Sequence, residues 1–232
     1  RKLLFVVFVA AFTFAACGRQ VTPDRSTTPS GIPAGFMQVK FTTAAPMDFT
    51  NVQYVIMFNT STQGGEPYAN GYQTNYANYS FAIVVGGNGV TSQVQVVQYV
   101  RSPGVGGGTV ASPQSIPYTP QQLQYNLNTS GQNTQFTVTF DRRLFNGIVA
   151  TPTPAAGANP NVWYINWFTT NASGQPIDAP GLGGPRDTSF TYGMPGVDVS
   201  TTFDLPWVAV AGWPQVTPSS AQIAGGEVIN SK

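Results

Sequence analysis

The chain has 232 residues, 41% of them hydrophobic, which is enough for one large core or two small ones, and its formal net charge is +1. Only 8% of the residues are charged, against about 25% in ordinary soluble domains, so Gly, Asn, Gln, Ser and Thr must supply the polar surface. Near-neutrality argues against nucleic acid as a partner, and the absence of His excludes Ser-His-Asp and Cys-His nucleophile systems as well as His-ligated zinc, copper or haem. Arg1 and Lys2 form a short basic start, and Leu3 to Ala16 is an uncharged run whose only polar residue is Thr13. A charged end, an apolar segment and small residues before a cut describe a secretory signal. Fourteen residues are too few for a membrane span, which needs about 20.

Phe14-Ala15-Ala16-Cys17 resembles the lipobox of bacterial lipoproteins, with Phe14 where Leu is usual. The resemblance implies that residues 1–16 are removed, that the Cys17 thiol receives a diacylglyceryl group and that the new amino terminus is acylated. Several buried acyl chains anchor far more firmly than one. The alternative is an ordinary signal peptide cut near Ala16. Because the chain starts without Met, the basic region is expected to begin further upstream. Loss of Arg1 and Lys2 takes Lys+Arg from 10 to 8 against 9 Asp+Glu, and the net charge from +1 to −1. With Cys17, the only cysteine, committed to lipid, no disulfide is left for the folded part.

Residues 17–35 read as the lipidated cysteine and a Pro/Ser/Thr-rich extended tether, and 36–232 as a single domain. Gly18 rather than Asp after the cysteine implies, by the same resemblance, an outer-membrane or cell-surface location if the organism is diderm.

From Phe36, Met37, Val39 and Phe41 alternate with polar residues, the period of a half-buried strand. Val52 to Phe58 is apolar on both faces, as in a central strand covered on both sides. Phe81 to Val85 and Val94 to Val100 read as a hairpin through Gly86-Gly87-Asn88-Gly89. Ser102 to Pro120 holds Gly106-Gly107-Gly108 and four prolines, and is expected to be a long surface loop. Strands are expected from Leu123 to Leu127, from Phe136 to Asp141 with its end at Asn146-Gly147, and from Val162 to Thr169. In the last of these Trp163 and Trp167 share one face, read as core, and Tyr164 and Phe168 the other. Thr151 to Pro160 and Asn171 to Arg186 read as loops, Thr188 to Tyr192 and Val197 to Phe203 as strands, and Leu205 to Trp213 as a closing strand. About nine strands and no sustained helical periodicity after Cys17 predict an all-β fold, an antiparallel two-sheet sandwich of immunoglobulin-like or jelly-roll-like type.

Asp141 to Gly147, followed by Val162 to Gly174 with its Asn-Ala-Ser-Gly end, resembles the sandwiches of the carbohydrate-binding module family 9 and DOMON group. That resemblance implies fold alone, and no binding residue carries over. DOMON-type haem binding commonly uses a His, which this chain lacks.

Tyr68, Tyr72, Tyr76 and Tyr79 are interleaved with Asn, Gln and Thr between Glu66 and Ser80, a pattern suited to stacking on sugar faces or contacting peptide. The competing reading is a lid whose tyrosines fold back over a sheet edge. Asp178, Asp187, Asp198 and Asp204 match no calcium-loop spacing and read as solvated loop acids, so no metal and no cofactor is expected. The Asn-x-Ser/Thr triplets at Asn59, Asn78, Asn128 and Asn171 matter only in a host that glycosylates. The expected function is a non-enzymatic, membrane-anchored binding or structural module with a glycan or protein ligand. The alternative is a carboxylate-dependent, glycosidase-like cell-envelope hydrolase, for which the only two Glu, Glu66 and Glu227, have no partner acid in the sequence.

Overall fold

The computed structural model describes residues 31–60, 79–86, 93–103, 109–127, 132–146, 162–179, 192–194, 196, 199–205 and 216–232. Among these, strands dominate: β1 (Phe36–Thr43), β2 (Val52–Asn59), β3 (Phe81–Gly86), β4 (Val94–Pro103), β5 (Thr109–Ile116), β6 (Leu123–Asn126), β7 (Gln135–Asp141), β8 (Tyr164–Asn171), β9 (Pro176–Asp178), β10 (Tyr192–Gly193), β11 (Thr201–Leu205) and β12 (Ile223–Asn230). One helical turn, α1 (Arg143–Asn146), follows β7, and Ser219–Ala221 forms a 3-10 turn before β12. The chain is an all-β, two-sheet antiparallel sandwich. The smaller sheet has the order β11-β12-β1-β7-β6, and the larger has β10-β8-β2-β3-β4-β5 with β9 also paired to β8. No helix among the described residues is long and apolar enough to cross a membrane.

The alternation in β1 and β7 places Met37, Val39, Phe41, Phe136, Val138 and Phe140 between the sheets, where they meet Tyr54, Ile56 and Phe58 of β2. Every residue of β2 and β3 is buried, as expected of strands covered on both faces. On the far side of the larger sheet, Val55, Met57, Tyr79, Ala82, Val84, Val97, Tyr99 and Phe168 form a second apolar layer. Trp163 and Trp167 lie in the intersheet core, as their spacing predicts.

α1 plugs one end of the sandwich. Phe145 stacks on Phe81 at 4.6 Å between ring centres and touches Phe58, Phe140 and Trp163 at 5.0, 4.8 and 5.7 Å. Asp141 starts this turn by accepting the Arg143 N–H at 2.9 Å. At the same end the Gly35 carbonyl accepts the Arg142 backbone N–H and its Nε–H, both at 3.1 Å, and the Gly35 N–H donates to Ser231 at 3.0 Å. The chain therefore enters the sandwich beside its C-terminal residues. At the opposite end Gly86 has φ of +82° and lies under the Phe49–Val52 loop. A Cβ there would fall 2.8 Å from the Val52 carbonyl oxygen, so only glycine fits.

Several sequence expectations need correction. Thr109 to Ile116 is not loop but β5, paired along its length with β4. Proline is tolerated because β5 is an edge strand, where Pro113 need not donate to a ladder on both sides. Within the expected loop Asn171 to Arg186, Pro176 to Asp178 pair with β8 as β9. Of the strand expected from Val197 to Phe203, Val197 and Asp198 lie outside the described residues, Val199 and Ser200 are not strand, and β11 begins at Thr201; Leu205 to Trp213 lies outside the described residues beyond Leu205 itself. The strand that closes the smaller sheet is β12, which pairs with both β1 and β11.

Candidate functional site

On the outer face of the smaller sheet the described residues assemble polar chemistry in rows. Residues opposite one another in antiparallel strands point to the same side, so the register defines rows across the sheet. One row is Thr202, Ile229, Gln38, Thr139 and Gln124, and the next is Asp204, Glu227, Lys40, Thr137 and Asn126. A third, shorter row is Gly225, Thr42 and Gln135. Gln124, Asn126, Gln135, Thr202 and Asp204 are exposed, and the others are half-buried.

The face divides electrically. Its β11–β12 side carries Asp204 and Glu227, and Glu227 is paired across the strands with Lys40 at 2.6 Å. On the β1–β7–β6 side the remaining groups, Gln38, Thr42, Thr137, Thr139, Gln135, Gln124 and Asn126, are all uncharged. The Gln38 amide donates to the Thr139 hydroxyl at 2.9 Å, which fixes both side chains. Strand spacing of about 4.8 Å and a same-face repeat of about 7 Å turn these groups into a regular grid of donors and acceptors. Such a grid suits a neutral, hydroxyl- or amide-rich ligand; an acidic one would meet Asp204 and Glu227.

Four of the described acids besides Asp48 fall into three different environments. Asp204 and Glu227, which the sequence does not bring together, stand opposite each other on β11 and β12. Asp178, read from sequence as a solvated loop acid, is only 4% exposed and accepts the Ile223 N–H at 2.7 Å. Burial pushes its carboxyl up to about 7, with the Ile223 and Ala179 N–H groups opposing the shift. Asp141 moves the other way: its hydrogen bonds and ion pair with Arg143, at 2.6 Å, hold the carboxyl below its ordinary value against some desolvation. Asp187 and Asp198 lie outside the described residues. Among those described, no group of three or more His, Cys, Asp or Glu could hold a metal ion.

Of the four tyrosines expected to bind, Tyr79 is 2% exposed and packs in the apolar layer on the far side of the larger sheet. A ring so enclosed cannot stack on a ligand at the surface, so its place is that of a packing residue. Tyr68, Tyr72 and Tyr76 lie outside the described residues, as does Cys17. Asn59, the first of the glycosylation triplets, is fully buried. The polar face was visible in the sequence only as the solvent side of individual strands; the alternating Gln and Thr of β1 and β7 were its signal.

Comparison of the chain with protein-family models, with curated proteins and with solved structures finds no match.

Proposed function

We propose that the chain is a lipid-anchored, exported β-sandwich that works as a non-enzymatic binding module in the cell envelope, taking a neutral glycan or a peptide on the outer face of its smaller sheet. The observation that carries the binding half is the uncharged amide and hydroxyl grid of β1, β7 and β6. It is presented by a rigid sheet, so little ordering is needed before a ligand meets it. The Arg1 to Cys17 signal supports the anchoring half, and Gly18 after the cysteine supports an outer-membrane or cell-surface location in a diderm organism.

Binding is tested by titrating the full chain with soluble neutral polysaccharides and unstructured peptides, beside the Gln38→Ala/Thr139→Ala variant. The expected result is saturable binding by the parent and at least tenfold weaker binding by the variant. No binding to any probe refutes the module; equal binding by the variant moves the site elsewhere. For the anchor, mass spectrometry of the native protein is decisive. A mature N-terminus at Cys17 without acyl mass refutes it.

A second reading, a carboxylate-dependent hydrolase, is favoured by one observation, the juxtaposition of Asp204 and Glu227. Opposite side chains in antiparallel strands have Cβ atoms about 5 Å apart, near the carboxylate separation of about 5–5.5 Å in retaining glycosidases. Against it, the pair stands on an open sheet face and Lys40 occupies Glu227. Turnover of chromogenic glycosides that disappears in Glu227→Gln supports the enzyme, and absence of turnover by the parent rejects it.

A further inference from the structure

The sheet edges are unequally guarded. β5, at the edge of the larger sheet, carries Pro113, and β11, at one edge of the smaller sheet, carries the exposed Asp204. β6, at the other edge, has neither the charge nor the proline with which many sheets blunt such edges, and only its four-residue length limits pairing there. Among the described residues no strand pairs with the second side of β6. Tyr125 at its centre is 49% exposed, one of only two exposed large hydrophobic side chains among those residues.

Two features of the sequence bear on what could cover this edge. No charged residue occurs between Arg101 and Asp141, so neither β6 nor its neighbour β7, up to Asp141, would repel an identical surface. The order Leu123-Gln124-Tyr125-Asn126-Leu127 is also chemically symmetric about Tyr125. In an antiparallel pair about a two-fold axis through Tyr125, Leu123 opposes Leu127, Gln124 opposes Asn126, and Tyr125 opposes its own copy. The exposed groups match: the Tyr125 rings meet on the inner side and the amides of Gln124 and Asn126 meet on the outer side, while Leu123 and Leu127, 2% and 6% exposed, stay in their own intersheet cores. A one-residue slip would lose both matches.

We propose that β6 is a homodimerisation edge, through which two copies of this chain join their five-stranded sheets into one continuous sheet across a two-fold axis at Tyr125. The contact is isologous, and the opposite edge carries Asp204, so assembly closes at two copies instead of growing into a filament. A pairing of five residues falls below the roughly 1,000 Å² of a stable interface, so the dimer is weak and concentration-dependent.

Cross-linking tests the axis directly. Residues directly opposite in an antiparallel pair have Cα atoms about 4.5–5.5 Å apart, within the disulfide range of about 4.4–6.8 Å. The full chain, detergent-solubilised and carrying Cys17→Ser, which removes its only native cysteine and with it the proposed site of lipidation, is compared as Tyr125→Cys and as Thr202→Cys, an exposed position on the opposite edge strand. Under mild oxidation the Tyr125→Cys chain is expected to form a reducible dimer several-fold faster than the Thr202→Cys control. In sedimentation the parent chain should gain mass with concentration and Tyr125→Lys should not. Equal cross-linking of the two cysteine variants, or a parent that stays monomeric into the millimolar range, overturns the proposal. Growth into fibrils overturns the closed two-fold arrangement.

Discussion

The carboxylate of Asp178, the last residue of β9, accepts the backbone N–H of Ile223, the first residue of β12, at 2.7 Å, and so ties the larger sheet to the smaller. In the unfolded chain this acid ionises near its ordinary value of 3.8, whereas in the fold burial holds it at about 7. Between those values the folded protein keeps a proton that the unfolded chain has lost. Stability therefore falls as pH rises from about 4 to about 7, by up to roughly 4 kcal/mol, and the loss is complete above that window. Asp178→Asn keeps an acceptor for Ile223 but cannot ionise. Denaturant titrations across pH 4–8 should show a flatter profile for the variant and greater stability than the parent at pH 8; parallel profiles would refute the assignment.

Phe145 of α1 concentrates packing in a single side chain, with four aromatic neighbours: Phe58 of β2, Phe81 of β3, Phe140 of β7 and Trp163 just before β8. Replacing it with Ala leaves a cavity between the sheets, and such truncations cost about 3–5 kcal/mol. Calorimetry should show a correspondingly large fall in melting temperature. A fall of only a degree or two would mean that this end of the sandwich is loosely packed.

Some of this architecture can be read from sequence, and the limits are physical. β1, β2 and β7 are legible because their apolar residues keep a period of two or fill both faces, and the same reasoning puts Trp163 and Trp167 in the core. β5 is hidden by its Ser, Gln and Pro content, which an edge strand tolerates and a central strand does not. β12 is hidden by Gly225 and Gly226 and by an irregularity opposite Thr42 and Thr43, where its register shifts, so that Ile223 and then Gly226, Val228 and Asn230 are buried without a constant alternation. The candidate face is hidden for another reason. Its second row joins Asn126, Thr137, Lys40, Glu227 and Asp204, residues that only the pairing of sequence-distant strands makes neighbours.

Gly226 marks a point of close approach between the sheets. A Cβ built on it would sit 3.2 Å from Trp167 Nε1, 3.3 Å from Trp167 Cε2 and 3.2 Å from the Lys40 carbonyl oxygen. The fully buried indole and the β1 backbone have little room to withdraw. Gly226→Val is therefore expected to cost about 1–3 kcal/mol by overpacking, offset only in part by the β propensity of Val. Chemical denaturation measures the loss, and a neutral or stabilising effect would show that the sheets separate more easily than their packing suggests.

The turn before β12 is held by two further side chains of the larger sheet. The Tyr54 hydroxyl accepts the Asp48 N–H at 2.8 Å and donates to the Ser220 carbonyl at 3.1 Å, while the Thr169 hydroxyl donates to the adjacent Ala221 carbonyl at 2.7 Å. Burial raises the Tyr54 phenol well above its ordinary value, so it remains a donor throughout the accessible pH range. Tyr54→Phe preserves the ring packing against Phe41, Phe49 and Phe136, and Thr169→Val preserves shape, yet the first strips the half-buried Asp48 N–H and Ser220 carbonyl of this partner and the second strips the buried Ala221 carbonyl. Such losses cost about 1–3 kcal/mol apiece. Both hydroxyls fasten consecutive residues of one short turn, so once either is gone the turn can relax and the second loss should matter less. The double variant should therefore fall short of additivity by at least about 0.5 kcal/mol, as expected for residues sharing one structural element. Strict additivity in a double-mutant cycle would show that Ser220 and Ala221 are held independently, and that the turn is not the single clasp between sheets that the geometry describes.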